Sequence, residues 1–276
     1  MIEGFDLAAF VTATLAEDMG QGGDRTSAAV IPADAVLTAM MDSRDPITVA
    51  GLPLAAAFFR ALDADCTIET LVEEGASVPA GTDLMRIRGN ARALLTAERS
   101  ALNTVQHLTG IATLTRQYVD AIAGTGAILL DTRKTLPGLR VLEKYATRMG
   151  GATNHRMRLD DGVMIKDNHI AVAGGVEPAV RAAKAAGLTG VVVEVDTLEQ
   201  ILPALAAGAD RLLLDNMGPA MLRDAVALVA GRVPTEASGG VNLSTIRAIA
   251  ETGVTFISVG RITQSAPAAD IGLDFA

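Results

Sequence analysis

The sequence predicts an α/β protein: a parallel α/β barrel in the C-terminal part, preceded by an α+β N-terminal domain. Two observations lead there. From Gly124 onward apolar runs alternate with helical stretches, and the strand ends fall near residues 131, 166, 194, 215, 236 and 259. The runs are continuous rather than alternating, as strands covered on both faces are. Charged residues or glycines then end almost every run, and loading the carboxyl ends of buried strands with charge is how a parallel barrel builds an active site. An open doubly wound sheet shows similar runs but gathers its functional residues at one switch point.

Residues 1–110 read as the α+β domain. FDLAAFVTATLAEDMG is a helix stopped by Gly20, and LPLAAAFFRALDA is an apolar helix. VLTAMMDS, ITVAG, CTIETLVEEG and LMRIRG are short strands separated by Gly, Pro and Asp turns. Strands in runs, without the βα alternation, mark this class. A long helical stretch, residues 91–124, joins the two parts and is expected to break near Gly110. Residues 111–276 then form the barrel domain, with strand-end intervals of 35, 28, 21, 21 and 23 residues. The shorter intervals fit one strand, one three-turn helix and two tight loops. Thr197-Leu198-Glu199-Gln200 is a capping box, Pro219 opens a helix, and Gly208, Gly231 and Gly253 close helices.

Composition narrows the function. Half of the 276 residues are hydrophobic and a fifth are charged, which excludes disorder. No run is apolar enough for a membrane span, and the N-terminus lacks a signal-peptide plan. Cys66 is the only cysteine, so no intrachain disulfide or thiolate cluster forms, and a cytoplasmic location is expected. A net charge of −9 argues against nucleic acid. The charge is uneven, however: residues 99–166 hold ten Lys/Arg against five Asp/Glu, or +5, leaving −14 for the rest. A basic centre in an acidic chain suits a small, highly anionic ligand.

The chemistry lies at the strand ends. In DTRKT (131–135) Thr132, Arg133 and Lys134 follow AILL; His155-Arg156 follow a Gly-Gly turn; Lys166 ends VMIK. Arginine grips carboxylates in a bidentate fork, and lysine supplies a compact charge for phosphate. Glu194 and Asp215 end consecutive strands, where they can hold Mg²⁺, hydrogen-bond sugar hydroxyls, or pair with neighbouring lysines. Ser238-Gly239-Gly240 and Val259-Gly260-Arg261 follow the last two strands, where barrels often bind phosphate. Asp167-Asn168-His169 are expected to shape the loop after Lys166, and three histidines leave little room for a histidine metal site. No nucleoside-triphosphate loop or dinucleotide fingerprint opens a helix.

These residues stand in longer motifs: EDMGQGGDRTS, LLTAERSALN, LTGIATLT, DTRKTLPGLRVLEKYA, GGATNHRMRLDDGVMIKDNHIA, VEVD, LLLDNM, EASGGVNL, ISVGRIT and SAPAADIGLDF. Together, from residue 17 to 275, they resemble the decarboxylating quinolinate phosphoribosyltransferase family of NAD biosynthesis. The resemblance implies an incomplete α/β (TIM-like) barrel behind an α/β N-terminal domain, Mg²⁺ as cofactor, and a homodimer that shares residues between its sites. It implies that Arg99 reaches the neighbouring subunit's quinolinate and that Arg133, His155 and Arg156 hold the quinolinate carboxylates. It further implies that Lys134 and Lys166 lie between quinolinate and phosphoribosyl pyrophosphate, that Glu194 and Asp215 serve the ribose hydroxyls and Mg²⁺, and that residues 238–240 and 259–261 lie near the phosphate. Arg158 is not carried over. The competing readings are a paralogous phosphoribosyltransferase of the molybdenum-transport-associated type, a Schiff-base aldolase built on Lys166, and a non-catalytic ligand sensor.

Overall fold

A computed structural model describes residues 2–275. The main N-terminal helices and strands follow the sequence expectation, and the structure adds a short helix at residues 25–30 and a two-residue strand at 77–78. Helix α1 (Leu7–Met19) begins where the Asp6 carboxylate accepts the Ala9 N–H at 3.0 Å, and it ends at Gly20. Asp24 caps α2 (Arg25–Val30) in the same way through the Ser27 N–H at 2.9 Å. Then come β1 (Val36–Ser43), β2 (Ile47–Thr48), α3 (Leu52–Leu62), β3 (Thr67–Thr70), β4 (Ser77–Val78) and β5 (Asp83–Asn90). At the start of α3 the N–H groups of Gly51 and Leu52 both donate to the Glu74 carboxylate, each at 2.8 Å, and the Tyr145 hydroxyl donates to the same group. An ionised carboxylate there satisfies donors that the helix leaves unpaired.

Helix α4 (Ala91–Ala121) is one unbroken element of 31 residues, so the break expected near Gly110 does not occur. Gly110 serves close packing instead. A Cβ at this position would lie 2.0 Å from the carbonyl oxygen of Pro267, so only hydrogen fits where that segment passes the helix.

The rest of the chain alternates. It runs through β6 (Ile128–Leu130), α5 (Arg140–Met149), β7 (Met164–Ile165), α6 (Asp167–Ala173), α7 (Val176–Ala185), β8 (Val192–Val195) and α8 (Ile201–Ala206). It continues with β9 (Arg211–Asp215), α9 (Pro219–Val229), β10 (Thr235–Ser238), α10 (Ile246–Ala250), β11 (Phe256–Ser258), α11 (Arg261–Gln264) and β12 (Ile271–Phe275). The local signals hold. Gln200 reaches back to accept the N–H groups of Asp196 and Thr197, at 2.7 and 3.2 Å, and Pro219 opens α9.

Two compact units result. The first comprises the described residues of Met1–Arg116, Val141–Gly151 and Ala266–Ala276; the second comprises Gln117–Arg140 and Ala152–Ser265. In the first unit β12, β1, β5 and β3 form an antiparallel sheet in that order. Its core includes Met41, Phe58, Phe59, Leu84, Met85, Ile87, Leu94 and Val105. Each such side chain contributes about 1.5–3 kcal/mol through burial.

In the second unit the parallel sheet has the order β6-β11-β10-β9-β8-β7. Sequential strands are neighbours, and the last strand pairs with the first, which is the cyclic order of a barrel. Among the described residues, the single bridge Leu130–Thr153 is all that stands beside β6 on the side toward β7. The ring is therefore an incomplete α/β barrel, as the resemblance implied. Strand interiors are buried on both faces; Val192 to Val195 and Leu212 to Leu214 are all covered.

Candidate active site

The parallel register brings the strand ends to one level. Ser238 pairs with Asp215, and Val195 with Leu214, which carries Asp196 beside Asp215. Ile165 pairs with Val193, which carries Lys166 beside Glu194. These ends surround a cavity of about 400 Å³ lined by Thr132, Arg133, Lys134, His155, Arg156, Met164, Lys166, Glu194, Leu213, Asp215, Glu236, Ser238 and Ser258. A volume in this range suits a small ligand. A second cavity of about 230 Å³ is lined by Lys134, Gly240, Val241, Asn242, Ser258, Val259, Gly260, Arg261 and Gln264. Lys134 and Ser258 line both, so two anion-sized compartments share one lysine.

The cationic side of the first cavity is built for a ligand. Burial, and next the adjacent Arg133 guanidinium, push Arg156 below its ordinary value, so the two arginines lie close enough to repel. Arg156 Nη1 donates to the Gly162 carbonyl at 2.9 Å, which fixes its direction. Arg133 Nε is buried without a hydrogen-bond partner. A buried unsatisfied donor is costly unless a ligand completes it. Lys134 reaches past Gly260, where a Cβ would stand 2.7 Å from Lys134 Cδ. Glycine at 260 thus leaves the passage that the lysine uses.

The acidic side is arranged against Lys166, whose Nζ lies 2.6 Å from Glu194 Oε2. Of the alternatives open for Glu194 in the sequence, the ion pair is present. Carboxylate oxygens of Glu194, Asp196 and Asp215 lie within 4.8 Å of one another. Burial, then the like charges of Glu194 and Asp196, push the Asp215 carboxyl above the usual range, against the opposing pull of Lys166 and Lys134. A trio of hard oxygen donors whose charges repel is a fitting seat for a divalent cation.

Buried Asp131 fixes the loop that carries His155. Its carboxylate accepts the His155 N–H at 2.7 Å and Asn154 Nδ2–H at 2.6 Å, tying the DTRKT and NHR segments together. As expected, Asp167-Asn168-His169 shape the turn after Lys166: His169 Nδ1 accepts the Lys166 N–H at 2.9 Å, and Asp167 accepts that of Asn168 at 2.7 Å.

Of the residues singled out in the sequence, Thr132, Arg133, Lys134, His155, Arg156, Lys166, Glu194, Asp215 and Ser238 line the first cavity. Gly240, Val259, Gly260 and Arg261 line the second. Gly239 lines neither but packs against Asn216, where its Cβ would meet Oδ1 at 2.1 Å. Arg99 belongs to the other unit and is exposed on α4. Asp196, Glu236 and Ser258 were not anticipated. Asp196 was visible as the last residue of VVVEVD, whereas Glu236 and Ser258 lie within strands whose neighbours are distant in sequence.

The comparisons agree with this geometry. The family profile described as quinolinate phosphoribosyl transferase, C-terminal domain, matches residues 111–274, and its N-terminal counterpart matches 24–109. The chain belongs to the quinolinate phosphoribosyltransferase family. It is 44% identical to the nicotinate-nucleotide pyrophosphorylase (carboxylating) of Mycobacterium leprae, over 94% of each chain. Identity to the chloroplastic enzyme of that name from Arabidopsis thaliana is 43%, covering 98% of this chain and 82% of the other. Among solved structures, nicotinate-nucleotide pyrophosphorylase from Francisella tularensis superposes with a TM-score of 0.93 at 40% identity, covering 98% and 96% of the two chains. Human nicotinic acid phosphoribosyltransferase, at 14% identity and a TM-score of 0.65, shares the fold alone.

Proposed function

We propose that this chain transfers the phosphoribosyl group of phosphoribosyl pyrophosphate to quinolinate and releases CO₂, giving nicotinate mononucleotide for NAD biosynthesis. The observation that carries the reading is the pair of mutually repelling arginines, Arg133 and Arg156, at the first cavity, one with a buried, unpaired Nε. Such a pair accommodates a dianion better than a neutral or singly charged ring.

Arg133, Arg156 and His155 hold the two carboxylates and orient the ring nitrogen toward the sugar. The glycine segments 238–240 and 259–261 take the phosphate of the donor, and Lys134 lies between the compartments. Magnesium, the cofactor implied by the family, fits Glu194, Asp196 and Asp215. When bound there it neutralises charge on the departing pyrophosphate. The bond from the sugar to pyrophosphate breaks through an oxocarbenium-like ribose as the pyridine nitrogen bonds to the same carbon. The bond to the carboxylate beside the nitrogen then breaks, CO₂ leaves, and the electron pair left on the ring carbon takes a proton. Lys134 and Lys166 stabilise the negative charge in both steps. No protein nucleophile is needed, so catalysis is positioning and electrostatics. The aldolase reading of Lys166 is disfavoured because the amine is ion-paired with Glu194 rather than set in the apolar pocket a Schiff-base lysine uses.

The active form in this proposal is a cytoplasmic homodimer in which Arg99 completes the partner's site. Leu136, Leu159 and Val172, exposed at 46%, 71% and 91% and close in sequence to Lys134, Arg156 and Lys166, are apolar side chains that a covering subunit would bury. Incubation with quinolinate, phosphoribosyl pyrophosphate and Mg²⁺ should yield nicotinate mononucleotide and CO₂ in equal amounts. Absence of CO₂ would overturn the reaction assigned.

A further inference from the structure

Glu236 is a carboxylate inside the barrel with a side-chain exposure of 0%. A buried charge is costly unless it is paired on several sides. Here Arg211 Nη1 approaches Oε2 to 3.1 Å, and the Arg211 guanidinium lies 4.3 Å from the centre of the Phe256 ring, which stiffens it. Ser258, on the neighbouring strand β11, also favours the charged form of this carboxylate. On the cavity side, His155 Nε2 stands 3.5 Å from Oε2. Burial pushes the Glu236 carboxyl up, but His155, Ser258 and Arg211 together hold it below the usual range, so it carries its charge.

The His155 ring is oriented from its other side as well. Nδ1 accepts the Arg156 N–H at 2.7 Å, which places the proton of the neutral ring on Nε2, the nitrogen that faces Glu236. Asp131 anchors the backbone of the same residue. Arg211 starts the strand that Asp215 ends, so β9 supplies both the brace for Glu236 and part of the acidic wall.

We propose that Glu236, braced by Arg211, is the positioning residue that holds the His155 ring and thereby the grip on the dicarboxylate substrate. This rests on the reading above that His155 contacts that substrate. Glu236 acts through His155 and touches neither the donor nor the reacting atoms. The plainer alternative makes Glu236 a counter-charge for Arg211. Arg211 is 28% exposed, however, and has water within reach.

Steady-state kinetics on four variants separates these. His155→Gln comes first: an unchanged KM for quinolinate overturns the reading of the site itself, and with it this proposal. With that KM raised, Glu236→Gln should raise KM for quinolinate about tenfold, the size of one close polar contact to a charged group, and leave KM for phosphoribosyl pyrophosphate unchanged. Added to His155→Gln, it should have no further effect, because its route is gone. The double variant Arg211→Met/Glu236→Gln removes the charge pair together and should remain impaired. It also supplies a folded protein on which the same KM is read if Glu236→Gln alone does not fold. Recovery in that double variant, additivity with His155→Gln, or an equal rise in both KM values overturns the proposal.

Discussion

Glu194 and Asp215 end adjacent strands, and their charges, with that of Asp196, crowd one side of the cavity. If they seat the magnesium of the donor complex, Glu194→Ala and Asp215→Ala should impair use of phosphoribosyl pyrophosphate while quinolinate binding survives. Calorimetry with each ligand reads this directly, and loss of quinolinate binding with retained donor binding would reverse the roles. At this scale the sequence was informative wherever a polar residue closes an apolar run, as with Arg133, Lys166, Glu194 and Asp215. Such a residue must face either solvent or a site. Glu236 was hidden because its meaning comes from Arg211, His155 and Ser258, which lie on other strands and loops. Asp131 was legible as a strand-end carboxylate but not as the anchor of His155, since only folding brings residues 131 and 155 together.

Helix α4 shows the limit of local signals for an element. A glycine within a helical pattern reads as a breaker, yet Gly110 lies in mid-helix because Pro267 passes against it. Gly110→Ala should lower stability by about 1–3 kcal/mol, the cost of overpacking, although alanine is the better helix former. Urea denaturation measures this; an unchanged or increased midpoint would show that the segment moves aside freely. Elements governed by their own termini were legible, among them α1 with its stop at Gly20, the capping box at Thr197 and the start of α9 at Pro219. Strand β12 was not, since its five residues gain their meaning from pairing with β1 at the opposite end of the chain.

For the whole molecule, the repeated intervals made the barrel readable, and continuous apolar runs identified its strands as buried. That the barrel is incomplete was implied by the family resemblance and not by periodicity; where it opens, between β6 and β7 beside the Leu130–Thr153 bridge, only the structure shows. The proposed dimer predicts complementation: Arg99→Ala and Lys166→Ala subunits, each nearly inactive alone, should recover activity when mixed. Random exchange makes about half the dimers mixed with one intact site each, so recovery should approach roughly a quarter of wild type if the defects are independent. No recovery after verified exchange would return Arg99 to its own subunit.

The central claim is that the cations at the barrel mouth select a pyridine dicarboxylate. Its most direct test compares kcat/KM for quinolinate and nicotinate, each with saturating donor and Mg²⁺. Nicotinate lacks the carboxylate beside the ring nitrogen and leaves a site cation unpaired, at a cost of about 2–5 kcal/mol. The account predicts a kcat/KM for nicotinate at least ~30-fold lower than for quinolinate. Equal turnover of the two acids would contradict it.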